Sequence, residues 1–229
     1  MTVTYDSIGA AFAGVTTAGV AKTFTHTAAA GADVFFALTT YRQDTVSSVT
    51  FAGNAMTLVG SYNHNNNNGS TVGTSFLYRL AGGGTGSSAT ASFTCALAQW
   101  AVANTISYTG VGSVGTPQYA YGSTTAISTG SVTCGSGQVI LAALGVGSQA
   151  NNLNPLINSP SGGTVRYNVG AGSSGYDAAL CIQDATSTAT FAGTGNFSFL
   201  WSTITVALLP PSAPLPAMSK VPVIRSAYY

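Results

Sequence analysis

Only two imidazoles, His26 and His64, and five carboxylates, Asp6, Asp33, Asp44, Asp177 and Asp184, offer acid–base or metal chemistry in this 229-residue chain, which has no glutamate. A glycoside-cleaving pair needs two carboxyl groups held roughly 5–10 Å apart, and five scattered aspartates supply one only if the fold makes two converge. No serine is framed as GxSxG, so the nucleophile elbow of the α/β-hydrolases is missing. His26 lies in Thr25-His26-Thr27 and is expected to make a hydrogen bond on a strand surface. His64 opens a run of asparagines and reads as a solvated loop residue that, with Asn65 and Asn66, can touch a glycan. Gly110-Val111-Gly112-Ser113-Val114-Gly115 matches GxGxxG, yet it runs into Thr116-Pro117 instead of a helix, and a phosphate cradle needs the helix N-terminus. Cys95, Cys134 and Cys181 are odd in number and far apart, which fits three small core residues better than a disulfide frame or a metal pair. No DxDxG calcium loop occurs. Asn68-Gly69-Ser70 and Asn196-Phe197-Ser198 match the glycosylation sequon without a secretory signal before them. No cofactor and no metal are expected.

The elements that would position these residues are strands. Charged residues make up 5% of the chain and the net charge is +1, too little for charged helix surfaces and too little for phosphate or polybasic membrane contacts. Hydrophobic residues reach 45% and mean hydropathy is +0.32. No stretch approaches the roughly 20 apolar residues of a spanning helix. Met1 to Asp6 lacks the basic and apolar regions of a signal peptide. Short β-branched and aromatic runs recur at 34–38, 75–80, 101–108 and 202–208. Gly-rich turns separate them, and the chain has 28 glycines. The expected fold is all-β, a single antiparallel jelly-roll-like sandwich over residues 1–209.

The halves echo each other in order. Gly31 to Leu38 resembles Ser136 to Ala143, Phe76-Leu77-Tyr78 resembles Leu180-Cys181-Ile182, Thr90 to Phe93 resembles Thr188 to Phe191, and Trp100 to Tyr108 resembles Trp201 to Leu208. Two tandem sandwiches and one interleaved sandwich both fit, and the interleaved body is preferred because no charged or Pro-rich linker separates the halves. Trp100 and Trp201 are expected to be paired core anchors. The expected core comprises Val34, Phe36, Leu38, Phe76, Tyr78, Phe93, Ile106, Val139, Leu141, Leu180, Ile182, Phe191, Ile204 and Val206. Tyr119-Ala120-Tyr121 is a second candidate for stacking on sugars or packing on a partner.

The order Gly31-Ala32-Asp33-Val34-Phe35, Ser48 to Leu58, Phe76 to Leu80, Ala89 to Phe93 and Ala103 to Val111, followed by Pro117, resembles the β-sandwich proteins of tailed-phage virions, labelled minor tail or head-decoration proteins, especially in phages of actinobacteria. The resemblance spans about residues 1 to 209. It implies a non-enzymatic structural protein on the surface of a phage particle, with other virion proteins as partners, and it transfers no catalytic residue. A carbohydrate-binding module for host cell-wall glycan, or a capsid decoration protein, is the alternative.

Residues 210–229 stand apart. Pro210, Pro211, Pro214, Pro216 and Pro222 exclude regular helix and central strand. Leu215, Met218, Val221, Val223, Ile224, Tyr228 and Tyr229 are too apolar for a solvated linker, so the segment is expected to be an extended arm on a neighbouring subunit, within a homotrimer or against another virion protein. Proline lowers the entropy lost when such a tail docks. Deleting residues 210–229 should leave the melting temperature nearly unchanged and abolish oligomerisation or particle incorporation. Normal assembly of the truncated chain, or its outright unfolding, would contradict the arm.

Overall fold

The computed structural model describes residues 1–66, 72–148, 157–173, 176–195 and 199–212. The arm residues Leu215, Met218, Val221, Val223, Ile224, Tyr228 and Tyr229 lie outside them. Residues 4–109 form β1 (Thr4–Val15), β2 (Ala21–Thr27), β3 (Asp33–Thr40), β4 (Val46–Phe51), β5 (Asn54–Ala55), β6 (Thr57–Asn63), β7 (Thr74–Leu80), β8 (Ser88–Cys95) and β9 (Trp100–Thr109). The second half forms β10 (Ser113–Val114), β11 (Gln118–Gly122), β12 (Ala126–Ser128), β13 (Val139–Ser148), β14 (Asn158–Ser161), β15 (Thr164–Ser173), β16 (Tyr176–Ala185), β17 (Ala192–Thr194) and β18 (Trp201–Leu209). Among the described residues there is no α-helix, only a 3-10 turn at His64–Asn66. Turn chemistry closes the shortest hairpin: Ala52 and Gly53, at φ 50 and 78, give the double left-handed turn between β4 and β5.

Among the described residues the ladders are antiparallel and form four sheets, ordered β1-β9-β3-β7-β6, β2-β8-β4-β5, β10-β18-β13-β16-β15 with β11 also on β18, and β12-β17-β14. Among the described residues no ladder joins the first half to the second, so the expected interleaving of the halves is not seen in their pairing. Each builds its own sandwich, and the two sandwiches are stacked through their larger sheets into one body. The reason is visible in β3, all eight of whose residues are buried. Val34, Phe36 and Leu38 face the small sheet of their own half, while Phe35 and Ala37 face the other half. A strand apolar on both faces must be covered on both.

The echo between halves is structural. β9, β3 and β7 are followed in the same lateral order by β18, β13 and β16, and β2-β8-β4 by β12-β17-β14. The residue-by-residue match, however, is one position out in the large sheets. Val34 faces its own small sheet, whereas its sequence counterpart Val139 faces the other half. Trp201 is buried beneath β12-β17-β14, whereas Trp100 packs, half-exposed, against the core between the halves. The two tryptophans are therefore not equivalent anchors. A slip of one residue inverts every face of a strand, and a run apolar on both faces carries no mark of which face is which.

All fourteen expected core residues are buried. Cys95 and Cys181 are buried as expected, but Cys134 is only half-buried and its thiol points to the Gln138 carbonyl at 3.5 Å. The central core between the halves is built by Phe35, Leu77, Ile106, Leu141, Leu180 and Ile204, among others. Ile204 is fully buried there. Ile204→Ala should cost about 2–5 kcal/mol in urea unfolding, and a loss under about half a kcal/mol would show that this core does not join the halves.

Candidate functional site

Three polar clusters and one aromatic cluster gather the residues with chemical potential. The first polar cluster sits inside the seam between the large sheets. His64 follows β6 and turns inward, with no exposed surface, so it is not the solvated loop residue its asparagine neighbours suggested. Its Nδ1 is 2.8 Å from Ser202 Oγ on β18 and its Nε2 is 3.3 Å from Thr39 Oγ1 on β3. Ser202 Oγ also donates to the Tyr62 carbonyl and reaches Ser75 Oγ, each at 3.0 Å. Glycines make the room: a Cβ at Gly147 would stand 3.0 Å from His64 Nε2, and one at Gly145 would collide with Ser75 Oγ. Burial pushes the His64 imidazole down to about 3, against a backbone hydrogen bond at Thr40 that raises it. It is a neutral wedge.

The second cluster superficially offers a nucleophile, a base and an acid. His26 Nε2 lies 2.9 Å from Ser7 Oγ and 3.3 Å from Ser107 Oγ. Asp6 Oδ2, however, accepts hydrogen bonds from Ser107 Oγ at 2.7 Å, Ser7 Oγ at 3.1 Å and the Ala29 N–H at 2.8 Å. In a triad the carboxylate orients the imidazole through Nδ1, whereas here Nδ1 of His26 makes no hydrogen bond. The hydroxyls are tied to the carboxylate, and the cluster is a knot joining β1, β2 and β9. His26 makes a hydrogen bond as expected, but as a buried residue and not on a strand surface. Burial lowers its pKa, partly offset by Asp6. Burial pushes the Asp6 carboxyl up, but its three hydrogen bonds and His26 bring it below the usual carboxylate range.

The third cluster spans the seam at the β1 and β15 edge. Tyr108 Oη donates to Asp184 Oδ2 at 2.9 Å, and Arg166 Nε lies 3.0 Å from both oxygens of Asp184. The Arg166 guanidinium also sits over the Tyr5 ring, 3.7 Å from its centroid. Burial, and then the Asp184 charge, drive the Tyr108 phenol well above its ordinary pKa. Asp33 is held by Arg79 at 2.6 Å and by the Gly82 N–H at 2.8 Å.

The aromatic cluster lies on the opposite edge of the seam, where β6 runs beside β11. Tyr62 is stacked with Tyr119, centroids 4.9 Å apart at 24°, and with Tyr121, 5.3 Å apart at 17°. Tyr119 leans over Gly60, whose added Cβ would stand 2.6 Å from Tyr119 Oη. Tyr62 Oη donates to Asn66 Oδ1 at 3.2 Å. Asn65 and Asn66 both have left-handed backbones, φ 53 and 49, which asparagine tolerates. The sequence candidates Asn65, Asn66, Tyr119 and Tyr121 thus meet at one place with His64 buried beneath them. Tyr62, which joins them, was missed: it sits one residue before the polar run, and nothing local marks it as their partner. The rings stay accessible, Tyr119 at 41% and Tyr121 at 46% exposure. Along the same edge a groove of about 330 Å³ lies between Thr57, Val59 and Arg79 on one side and Val114, Gly115 and Pro117 on the other.

No family model, curated protein or solved structure matches the chain. Among the described residues no helix is long and apolar enough to cross a membrane, and no group of three or more His, Cys, Asp or Glu could hold a metal ion.

Both imidazoles bear on pH stability. Unfolded histidine takes up a proton below about pH 6.5, whereas folded His64 does so only near pH 3. Its contribution is therefore complete above pH 6.5 and is lost as pH falls toward 3, at about 1.4 kcal/mol per pH unit. His26 acts in the same direction. Urea midpoints measured from pH 7 to pH 4 should fall with acidification below about pH 6.5. A flat profile would place His64 in water.

Proposed function

We propose that the chain is a non-enzymatic structural protein of a tailed-phage virion, a minor tail protein that presents this double sandwich on the particle surface. One observation supports a structural role above the others. The groups best suited to chemistry are committed to internal joints: His64 and Ser202 inside the seam, Asp184 with Tyr108 across it and with Arg166 in its own half, and Asp6 and His26 within the first half. Such wiring gives a rigid body at a cost in reactivity, since an imidazole with a pKa near 3 is a poor base at neutral pH. The likeness of residues 1–209 to virion β-sandwich proteins gives the role its setting. Other virion proteins are then the partners, with the arm at 210–229 joining a homotrimer or a neighbouring tail protein. A capsid decoration protein has the same physical requirements at another place on the particle.

The second reading, a carbohydrate-binding module for host cell-wall glycan, is favoured by one specific observation, the exposed stack of Tyr62, Tyr119 and Tyr121. The two readings are compatible on one particle. Peptide mass spectrometry on gradient-purified particles of a phage encoding the chain should find it in a fixed ratio to the major capsid protein, and gold-labelled antibody should mark the tail. Recovery of the chain only in the particle-free lysate would overturn the virion role.

A further inference from the structure

We infer that the edge formed by β6 beside β10 and β11 is a binding site for an uncharged linear glycan, laid along the strands with its apolar sugar faces against the tyrosine stack. The inference deepens the carbohydrate-binding reading and rests on it, not on the virion role. Shape comes first. β6 runs from the groove at Thr57 and Val59 to the stack at Tyr62, and the second half follows it from Val114 through Tyr119 to Tyr121. At about 3.3 Å per residue the strip from Thr57 to Tyr62 is roughly 17 Å long, the scale of a short oligosaccharide and not of a single small ligand.

The chemistry of the strip selects the occupant. Its apolar surface consists of phenol rings whose hydroxyls can hydrogen-bond, as Tyr62 already does to Asn66, and ring faces with polar rims match sugars that are apolar on one face and hydroxylated at the edge. The charged side chain lining the groove, Arg79, is already paired with Asp33, so the strip offers an acidic polymer no unpaired cation. Tyrosine serves protein interfaces too, and a protein partner is the occupant left standing if no neutral oligosaccharide series binds. The other edge of the seam provides an internal comparison. By strand order β1 and β15 occupy the positions that correspond to β10–β11 and β6. There Arg166 caps Tyr5 and is bound by Asp184. The equivalent edge is closed by a cation; the Tyr62 edge is left open.

The test titrates the full chain with oligosaccharides of N-acetylglucosamine, glucose and galactose, and with oligogalacturonate as the acidic control, followed by tyrosine fluorescence and calorimetry. At least one neutral series should bind saturably, more tightly as its chain lengthens and with little dependence on salt. Tyr121→Ala should weaken that binding about tenfold or more with an unchanged melting temperature, while Tyr121→Phe keeps most of it. Asn66→Gly, on the turn beside the stack, should weaken binding without touching a ring and serves if Tyr121→Ala does not fold. Failure of all three neutral series overturns both the site and the carbohydrate reading. Wild-type affinity in Tyr121→Ala and Asn66→Gly overturns the site alone, and tighter, salt-sensitive binding of oligogalacturonate overturns the choice of an uncharged ligand.

Discussion

Burial of the two large sheets on both faces is the constraint from which the rest of the structure follows. Once β3, β9, β13 and β18 are enclosed between a small sheet on one side and the other half on the other, the polar groups they carry depend on partners inside the protein, although Thr105 Oγ1, Thr203 Oγ1 and Trp201 Nε1 are buried without one. Ser75, Ser202, Thr39 and His64 satisfy one another at one end of the seam. Tyr108, Asp184 and Arg166 do so at the other. Between the two ends the seam is apolar, with Phe35, Ile106, Leu141 and Ile204 at its centre. The polar ends favour one docking of the apolar middle, because sliding one sandwich over the other would break the two hydrogen bonds that cross the seam, Tyr108 to Asp184 and His64 to Ser202.

The same constraint accounts for the scarcity of charge. The long strands are enclosed on both faces, and the exposed positions fall largely to threonine, serine, asparagine and glycine. Part of the charge is neutralised in place, as in Arg79 with Asp33 and Arg166 with Asp184. Glycine serves as a spacer at the seam, where Gly145 and Gly147 let the sheets close on Ser75 and His64. Composition that read as turn grammar in the linear chain is in part packing grammar in the folded one.

What could be read from the chain and what could not divide along the same line. Strand identity and burial depend on local composition, and Val34, Phe36, Leu38, Ile204 and Val206 were legible from their own neighbourhoods. That the two halves repeat one succession of strands was legible too, because the echo runs in one direction along the chain, but their separate pairing was not. Facing was not, since β3 is apolar at even and odd positions alike. His64 was misread because asparagines surround it in sequence, while its real environment comes from Thr39 and Ser202, the latter 138 residues away. The Tyr108–Asp184 bond spans 76 residues, and neither residue carries a local sign of the other. Of the candidate site, Tyr119, Tyr121, Asn65 and Asn66 were legible as exposed polar or aromatic positions. Their convergence on Tyr62 was not, because β6 and β11 meet only after the halves stack.

Stacking also decides where function can reside. The outer faces of the large sheets are covered by the small sheets and their inner faces by each other, so the long strands keep only their edges for a ligand or partner. There are two seam edges, equivalent in strand order and opposite in chemistry. At β1 and β15 an arginine, an aspartate and two tyrosines close the edge and hold the halves together. At β6 and β11 the halves are bridged by ring stacking, Tyr119 over Gly60 and Tyr62 against Tyr119 and Tyr121 of the other half, together with the Ser202 hydrogen bond to the Tyr62 carbonyl. Ring stacking of this kind holds the edge together without consuming its surface, since Tyr119 and Tyr121 remain more than two-fifths exposed. A duplicated sandwich needs one locked edge to fix the docking of its halves. With that edge provided by Asp184 and Arg166, the other is relieved of the requirement and is free to diverge toward recognition.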